Sequence, residues 1–180
     1  MSSVIASRRY AAALFSAAEE GNFLDQIVDE MNEIGEVLKH SRDLVHILRS
    51  PLVQNDKKVH ILEDIFKGRV GDKVFIFLKL VGKKNRLGHL PQIVEEFQIL
   101  VDEKREIINI NVTSAVELND EQANDLVMKL GEFTGKKVRA RMLVNEAFIG
   151  GVSIKIGDTI YDGTVSHQLQ MLRQTLVSKK

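Results

Sequence analysis

The sequence has no cysteine, no tryptophan and only two prolines in 180 residues. Without cysteine, neither a disulfide framework nor a thiolate metal site can form. No apolar run reaches the roughly 18 residues that a membrane-spanning helix needs. The opening MSSVIASRRYAAALF lacks an apolar core followed by a small-residue cleavage site, so we interpret it as the first helix of the mature protein, with an organellar presequence as the alternative.

Charge of one sign is also missing. Lys and Arg number 25, as do Asp and Glu, and the balance is 16 against 16 up to Arg105 and 9 against 9 after it. Neither half is a basic module, which argues against a polyanionic partner bound through counterion release. Apolar residues make up 44% of the chain, enough for one large core or two small ones.

Up to residue 105 the apolar positions recur with the period of amphipathic helices. A first helix over 3–20 ends at Gly21, and Asn55 and Asp56 are expected to cap the fourth. Further apolar stripes lie near residues 24–39, 44–48, 74–81 and 90–101. The pattern predicts an N-terminal six-helix bundle over residues 1–105.

After residue 105 the apolar period changes from helical to alternating. Ile108, Ile110 and Val112 alternate with polar residues, which is typical of a half-buried strand. Asn119 and Gln122 form a capping box for a helix that Gly135 should end. A second alternating run, a hairpin and a terminal helix follow. The fold class predicted is therefore α plus small α/β, with a β-α-β-β-α domain over 106–180.

Sites of chemistry are tested and set aside. Gly131 to Lys137 fails as a phosphate loop, because only three residues separate its glycines and Lys137 stands where Ser or Thr would bind magnesium. The five histidines are scattered, and Asp158 and Asp162 are interpreted as a turn residue and a helix cap. We therefore expect no catalytic residue, no metal and no cofactor.

The C-terminal segment carries the most specific pattern. Its glycine-rich pieces are Ile149-Gly150-Gly151, Ile156-Gly157-Asp158 and Asp162-Gly163-Thr164, and Leu169 and Leu172 follow on a helix. With RRYAAALFSAAEE, KKNRLGHLPQIVEEFQIL and VTSAVELNDEQ before TGKKV, this resembles the delta subunit of F-type ATP synthase, the oligomycin sensitivity-conferring protein of mitochondria. Two departures are Asn145-Glu146, where the family often has Asp-Pro, and Thr164, where Ser is usual.

The resemblance implies a non-catalytic stator subunit, one copy per complex, that links the catalytic head to the peripheral stalk. It implies that residues 1–105 bind N-terminal helices of the alpha subunits and that residues 106–180 bind the C-terminal ends of the b subunits. No nucleic acid is expected, and the membrane is reached only through the complex. The implied location is the cytoplasmic face of a bacterial cell membrane, with an organellar inner membrane as the alternative.

Two apolar surfaces exceed what a single core needs, so each has two interpretations. The first helix and the 74–81 helix are either covered by their own bundle or flank a groove for a partner helix. The groove hypothesis names Ala6, Tyr10, Ala13, Ala17, Phe77 and Val81. The terminal stripe of Leu169, Leu172 and Leu176 either docks on its own sheet or contacts the b subunits. The competing functions are a generic helix-binding adaptor and an RNA-associated protein.

Overall fold

The computed structural model describes residues 3–178 and divides the chain into two compact units, Met1–Asp102 and Glu103–Lys180. The division falls close to residue 105, where the sequence changes period. In the described residues the chain is mostly helical, with one small sheet of four strands. This coarse architecture agrees with the predicted fold class.

The first unit is built from helices alone in the described residues. Their bounds are α1 (Ser3–Glu20), α2 (Leu24–His40), α3 (Arg42–Arg49), α4 (Asn55–Phe66), α5 (Asp72–Lys83), a 3-10 turn (Leu87–His89) and α6 (Leu90–Lys104). Their buried side chains form one continuous cluster, in which the Phe15 and Phe97 rings meet edge to face at 6.3 Å. Apolar burial on this scale is the main favourable term in the folding of the unit.

The start of α4 differs from the prediction. Asn55 and Asp56 were expected to cap this helix, but Asn55 is already its first residue. The N-cap is Gln54, whose side chain makes no capping hydrogen bond. Gln54 has the extended backbone of an N-cap residue, with φ −63° and ψ 146°, so the helix begins one residue earlier than a cap at Asn55 would allow. The first amides of α4 are therefore left without a side-chain acceptor.

The second unit contains four strands and two helices in the described residues. They are β1 (Ile107–Ser114), α7 (Asp120–Thr134), β2 (Lys137–Val144), β3 (Val152–Ile156), β4 (Thr159–Asp162) and α8 (Val165–Ser178). The sheet order is β2-β1-β3-β4, with β1 and β2 parallel and the other pairs antiparallel. The predicted β-α-β-β-α order is one strand short, because the closing hairpin supplies two strands.

Strand alternation positions the small core of the second unit. Ile110 and Val112 are buried, lie opposite Ile156 and Ile154 on β3, and pack with Leu130 of α7. The capping box of α7 is confirmed, because Asn119 Oδ1 accepts from the Gln122 amide at 2.8 Å and the Gln122 side chain accepts from the Asn119 amide at 3.2 Å. Gly135 ends α7 in the left-handed conformation, as predicted.

Candidate helix-binding surfaces

A groove lies between α1 and α5 of the helical unit. The core-facing side of α1 is buried at Ser7, Ala11, Leu14 and Ala18. The adjacent side presents Ala6, Tyr10 and Ala13 to a cavity of about 370 Å³. The alanine side chains project little from α1, so a second helix can approach the α1 backbone closely. Ala17 is exposed on the same helix but does not line the cavity.

The α5 side of the groove differs from the sequence hypothesis. Val81 is fully buried and Phe77 is only 9% exposed, and both belong to the core of the bundle. Leu80, which is 49% exposed, lines the cavity in their place. Val74, Phe77, Leu78 and Val81 recur at helical spacing and form the true core stripe. Because seven of the eight residues from Val74 to Val81 are apolar, periodicity alone did not separate this stripe from the groove side.

Sequence reasoning also missed the cationic lining of the groove. Arg9 and Arg86 line the cavity together with Ile5. Arg9 lies three residues after Ala6 and four before Ala13, so its helical spacing could have predicted that it shares their face of α1. Arg86 follows Asn85, whose positive φ of 56° turns the chain at the end of α5. No pattern in the sequence brings Arg86 to α1.

The basic end of α5 is partly neutralised by its neighbour α4. Lys79 Nζ lies 2.8 Å from Glu63 Oε1. This hydrogen bond from the ammonium lowers the pKa of the Glu63 carboxyl. Lys79 is therefore held against α4, whereas Arg86, which follows α5, lines the groove.

The glycine signature of the second unit forms a tight junction between the start of β3 and the start of α8. The Val165 amide donates to the Gly150 carbonyl at 3.0 Å, and the Gly163 amide donates to the Val152 carbonyl at 3.0 Å. Gly151 has a φ of +86°, and a Cβ placed there would meet Thr164 Cα at 2.9 Å as well as the Gly163 carbonyl oxygen. Gly150, Gly151 and Gly163 thus allow two backbones to touch. Gly157, with a φ of +57°, forms the tight turn between β3 and β4.

The start of α8 is fixed by two side chains of the same signature. Asp162 Oδ1 accepts from the Thr164 amide at 2.9 Å, and the Thr164 hydroxyl accepts from the His167 amide at 3.3 Å. Thr164 is therefore the helix cap, two residues beyond the predicted Asp162. The Thr164 amide lowers the pKa of Asp162, so the charged form supports this turn above the ordinary carboxyl pKa. That support is lost as the pH falls through the lowered value.

Removal of the Thr164 hydroxyl should loosen the first turn of α8. We expect Thr164→Ala to cost about 1 kcal/mol, a typical value for a lost N-cap. Thr164→Ser keeps the hydroxyl and should retain the cap. The measurement is amide hydrogen exchange at His167, faster in the alanine variant alone. Equal exchange in all three proteins would contradict the capping role.

The terminal helix leaves its apolar stripe uncovered. Leu169, Leu172 and Leu176 are 56%, 57% and 67% exposed. The interpretation that this stripe docks on its own sheet therefore disagrees with the structure. A further apolar pair, missed in the sequence, is Phe133 of α7 and Tyr161 of β4, whose rings meet edge to face at 6.0 Å. Both are largely exposed, so the second unit offers more than one apolar surface.

The described residues contain no cluster of three or more histidine, aspartate or glutamate side chains placed to hold a metal ion. Among the helices described, none combines the length and the apolar character that a membrane crossing requires.

The fold is that of a two-part protein in which a helical unit precedes a small α/β unit. A chain in the cryo-EM structure of the Toxoplasma gondii mitochondrial ATP synthase hexamer shares it, with a TM-score of 0.73, 18% identity, and coverage of 95% of this chain and 97% of that one.

Relatives identify the family within that class. The sequence profile described as ATP synthase delta (OSCP) subunit matches residues 6–176. The chain is 67% identical to the ATP synthase subunit delta of Pelodictyon phaeoclathratiforme over 99% of this chain and 100% of that protein. It is 61% identical to the subunit of the same name from Chlorobium limicola, over 100% and 99%. The chain belongs to the ATP synthase delta (OSCP) subunit family.

Membership defines the role of the chain. It is a non-catalytic stator component of the peripheral stalk in the proton-transporting ATP synthase, where it supports ATP synthesis. It is a peripheral part of a membrane complex.

Proposed function

We propose that the two units tie different parts of the stator together. Residues 1–105 hold an N-terminal helix of an alpha subunit in the groove between α1 and α5, and residues 106–180 hold the C-terminal ends of the b subunits. One copy serves each complex, on the cytoplasmic face of a bacterial cell membrane. A link of this kind resists rotor torque by dissociating slowly, and affinity differences between related complexes lie mostly in the off-rate.

The observation that carries the proposal is the chemistry of the groove. Its lining contains apolar side chains, the small Ala6 and Ala13 on the α1 side and Leu80 on the α5 side. Arg9 and Arg86 add positive charge at its lining. An amphipathic helix with apolar residues at helical spacing and an acidic flank matches both features. The apolar contacts supply most of the affinity, because exposed ion pairs contribute only about 0–1 kcal/mol each.

The test substitutes aspartate for alanine at two neighbouring positions of α1. Ala13 lines the groove and Ala12 does not. Each new carboxylate would stand four residues after an arginine, Arg9 or Arg8, so the two variants match in helix propensity and local charge. We expect Ala13→Asp to weaken binding of an alpha N-terminal peptide by about 100-fold or more, since the bound helix would desolvate the new carboxylate and its acidic flank would be repelled by it.

Ala12→Asp should bind the peptide within about threefold of the parent, a difference of less than 1 kcal/mol. Isothermal titration calorimetry measures both affinities, and far-ultraviolet circular dichroism checks that helix content is the same in both variants. Unchanged affinity in Ala13→Asp would overturn the groove assignment. Equal losses in both variants would attribute the effect to added negative charge in the middle of α1 instead of to the groove.

A further inference from the structure

A second cavity lies away from the groove and has a mostly polar lining. It occupies about 1030 Å³ beside the C-terminal end of α3, the first turns of α4 and the chain between α5 and α6. Its lining shares no residue with the α1–α5 groove. Its basic side chains are Arg49, Lys58 and His89, and its amide side chains are Gln54, Asn55, Asn85 and Gln92.

Lys58 is the unusual member of this lining. It is only 5% exposed, and its ammonium makes one hydrogen bond, to the Leu48 carbonyl at 2.8 Å. It forms no ion pair with any residue in the described part of the chain, including Asp56, the acidic side chain of the cavity lining. An ammonium has three donors, and burying its charge is costly unless an opposite charge is near. The Lys58 ammonium therefore lacks a negatively charged partner within the described chain, and a bound anion could provide one.

The other groups around the cavity also favour an anion. The α4 helix begins here with its N-cap side chain unbonded, so its first amides carry partial positive charge without an acceptor. In the amide orientation that satisfies both contacts, Gln92 accepts from Arg49 Nη2 at 3.1 Å and donates to the His89 carbonyl at 3.3 Å. This contact steadies the Arg49 guanidinium at the cavity. Asp56 is the acidic side chain of the lining, and its single negative charge is outweighed by the two positive charges of Arg49 and Lys58.

We propose that this cavity is an oxyanion-binding site in which a phosphoryl or carboxylate group provides the counter-charge of Lys58. The first amides of α4 and the Arg49 guanidinium are further donors for the same group. The volume is that of a small-molecule pocket, so the oxyanion can belong to a larger ligand. The proposal does not depend on the alpha-binding groove.

The experiment titrates inorganic phosphate into the full-length ¹⁵N-labelled protein at constant ionic strength, with chloride as the balancing anion. We expect saturable chemical-shift changes at the amides of Asn55, Asn85 and Gly88, with a Kd on the order of millimolar. Lys58→Met keeps the length of the side chain and removes the charge, and it should weaken phosphate binding by at least about tenfold. Lys57→Met removes the same charge from an exposed neighbour outside the lining and should leave the Kd unchanged.

A second titration with acetate identifies the source of the oxyanion. Saturation at the same amides by acetate points to a carboxylate of a polypeptide, and saturation by phosphate alone points to a phosphorylated small molecule. Should Lys58→Met fail to fold, Arg49→Gln must weaken phosphate binding in its place. Shifts that do not saturate with either anion would overturn the site, and so would shifts that survive removal of Lys58 or, in that case, of Arg49. Ala13→Asp should titrate as the parent does.

Discussion

Gly151→Ala is expected to destabilise the C-terminal unit by about 2–5 kcal/mol. The backbone at Gly151 has a φ of +86°, where a side chain costs about 1–2 kcal/mol. The added methyl group would also press on Thr164 Cα and on the Gly163 carbonyl, and overpacking of this kind costs about 1–3 kcal/mol. Both neighbours are backbone atoms, so no side-chain rotation relieves the contact. The total free energy of unfolding of a small domain is only about 5–15 kcal/mol, so a loss of this size is a large part of it.

The control for this prediction is Gly157→Ala. Gly157 also has a positive φ, +57°, but nothing lies within 4 Å of the position of its added Cβ. It should lose only the conformational cost of about 1–2 kcal/mol. Hydrogen exchange on the full-length protein measures both variants, with loss of protection expected in β1 and β3. The amides of α2 and α6 serve as an internal reference. Equal effects at the two glycines would show that crowding at the junction is unimportant.

Local patterns in the sequence predicted those parts of the fold that are fixed by nearby residues. The α7 capping box needs only Asn119 and Gln122, three positions apart, and its hydrogen bonds are present. The positive φ values at Gly135 and Gly157 likewise follow from a helix end and a two-residue turn. In each case the residues that determine the structure are neighbours in the chain, so no tertiary information was needed.

The surfaces were harder to predict because they depend on distant parts of the chain. Phe77 and Val81 were assigned to the groove, but their positions relative to α1 depend on how α5 rotates about its own axis. A helix that is apolar on almost every side gives no signal for that rotation. Arg86 reaches the groove only because α1 and the end of α5 come together. The exposure of the α8 stripe could not be predicted either, because a helix that docks on its own sheet and a helix that binds a partner both need leucines at the same positions.

The burial of Lys58 could not be predicted from the sequence either, although here the unexpected feature is a charged side chain inside the fold and not an apolar one at the surface. In the sequence it is one of two consecutive lysines near the start of a helix, and a solvated lysine is the normal expectation. In the fold Lys58 is only 5% exposed, and its ammonium donates to the Leu48 carbonyl at the end of α3. Buried charge is thus a property of the fold, and the proposed oxyanion site has no sequence motif.

Leu172→Asp is expected to release the b subunits without disturbing the free protein. Leu172 is 57% exposed at the centre of the α8 stripe, so its substitution opens no cavity in the unbound chain. On binding, the variant loses part of the roughly 1.5–3 kcal/mol gained by burying a leucine and must also desolvate a carboxylate. The sum exceeds about 3 kcal/mol, which corresponds to more than about a 100-fold loss of affinity.

Gln170→Asp is the matched control, because it adds the same charge two residues away and outside the stripe. Binding of a C-terminal b-subunit fragment, measured by surface plasmon resonance, should be lost in Leu172→Asp and kept in Gln170→Asp. Both free proteins should unfold within about 0.5 kcal/mol of the parent, as is usual for surface substitutions. If α8 docks on its own sheet in solution, Leu172→Asp would instead destabilise the second unit and expose β1 to hydrogen exchange. Full stalk binding by a stable Leu172→Asp protein would exclude the stripe as the contact, and the exposed Phe133–Tyr161 pair would become the surface to test.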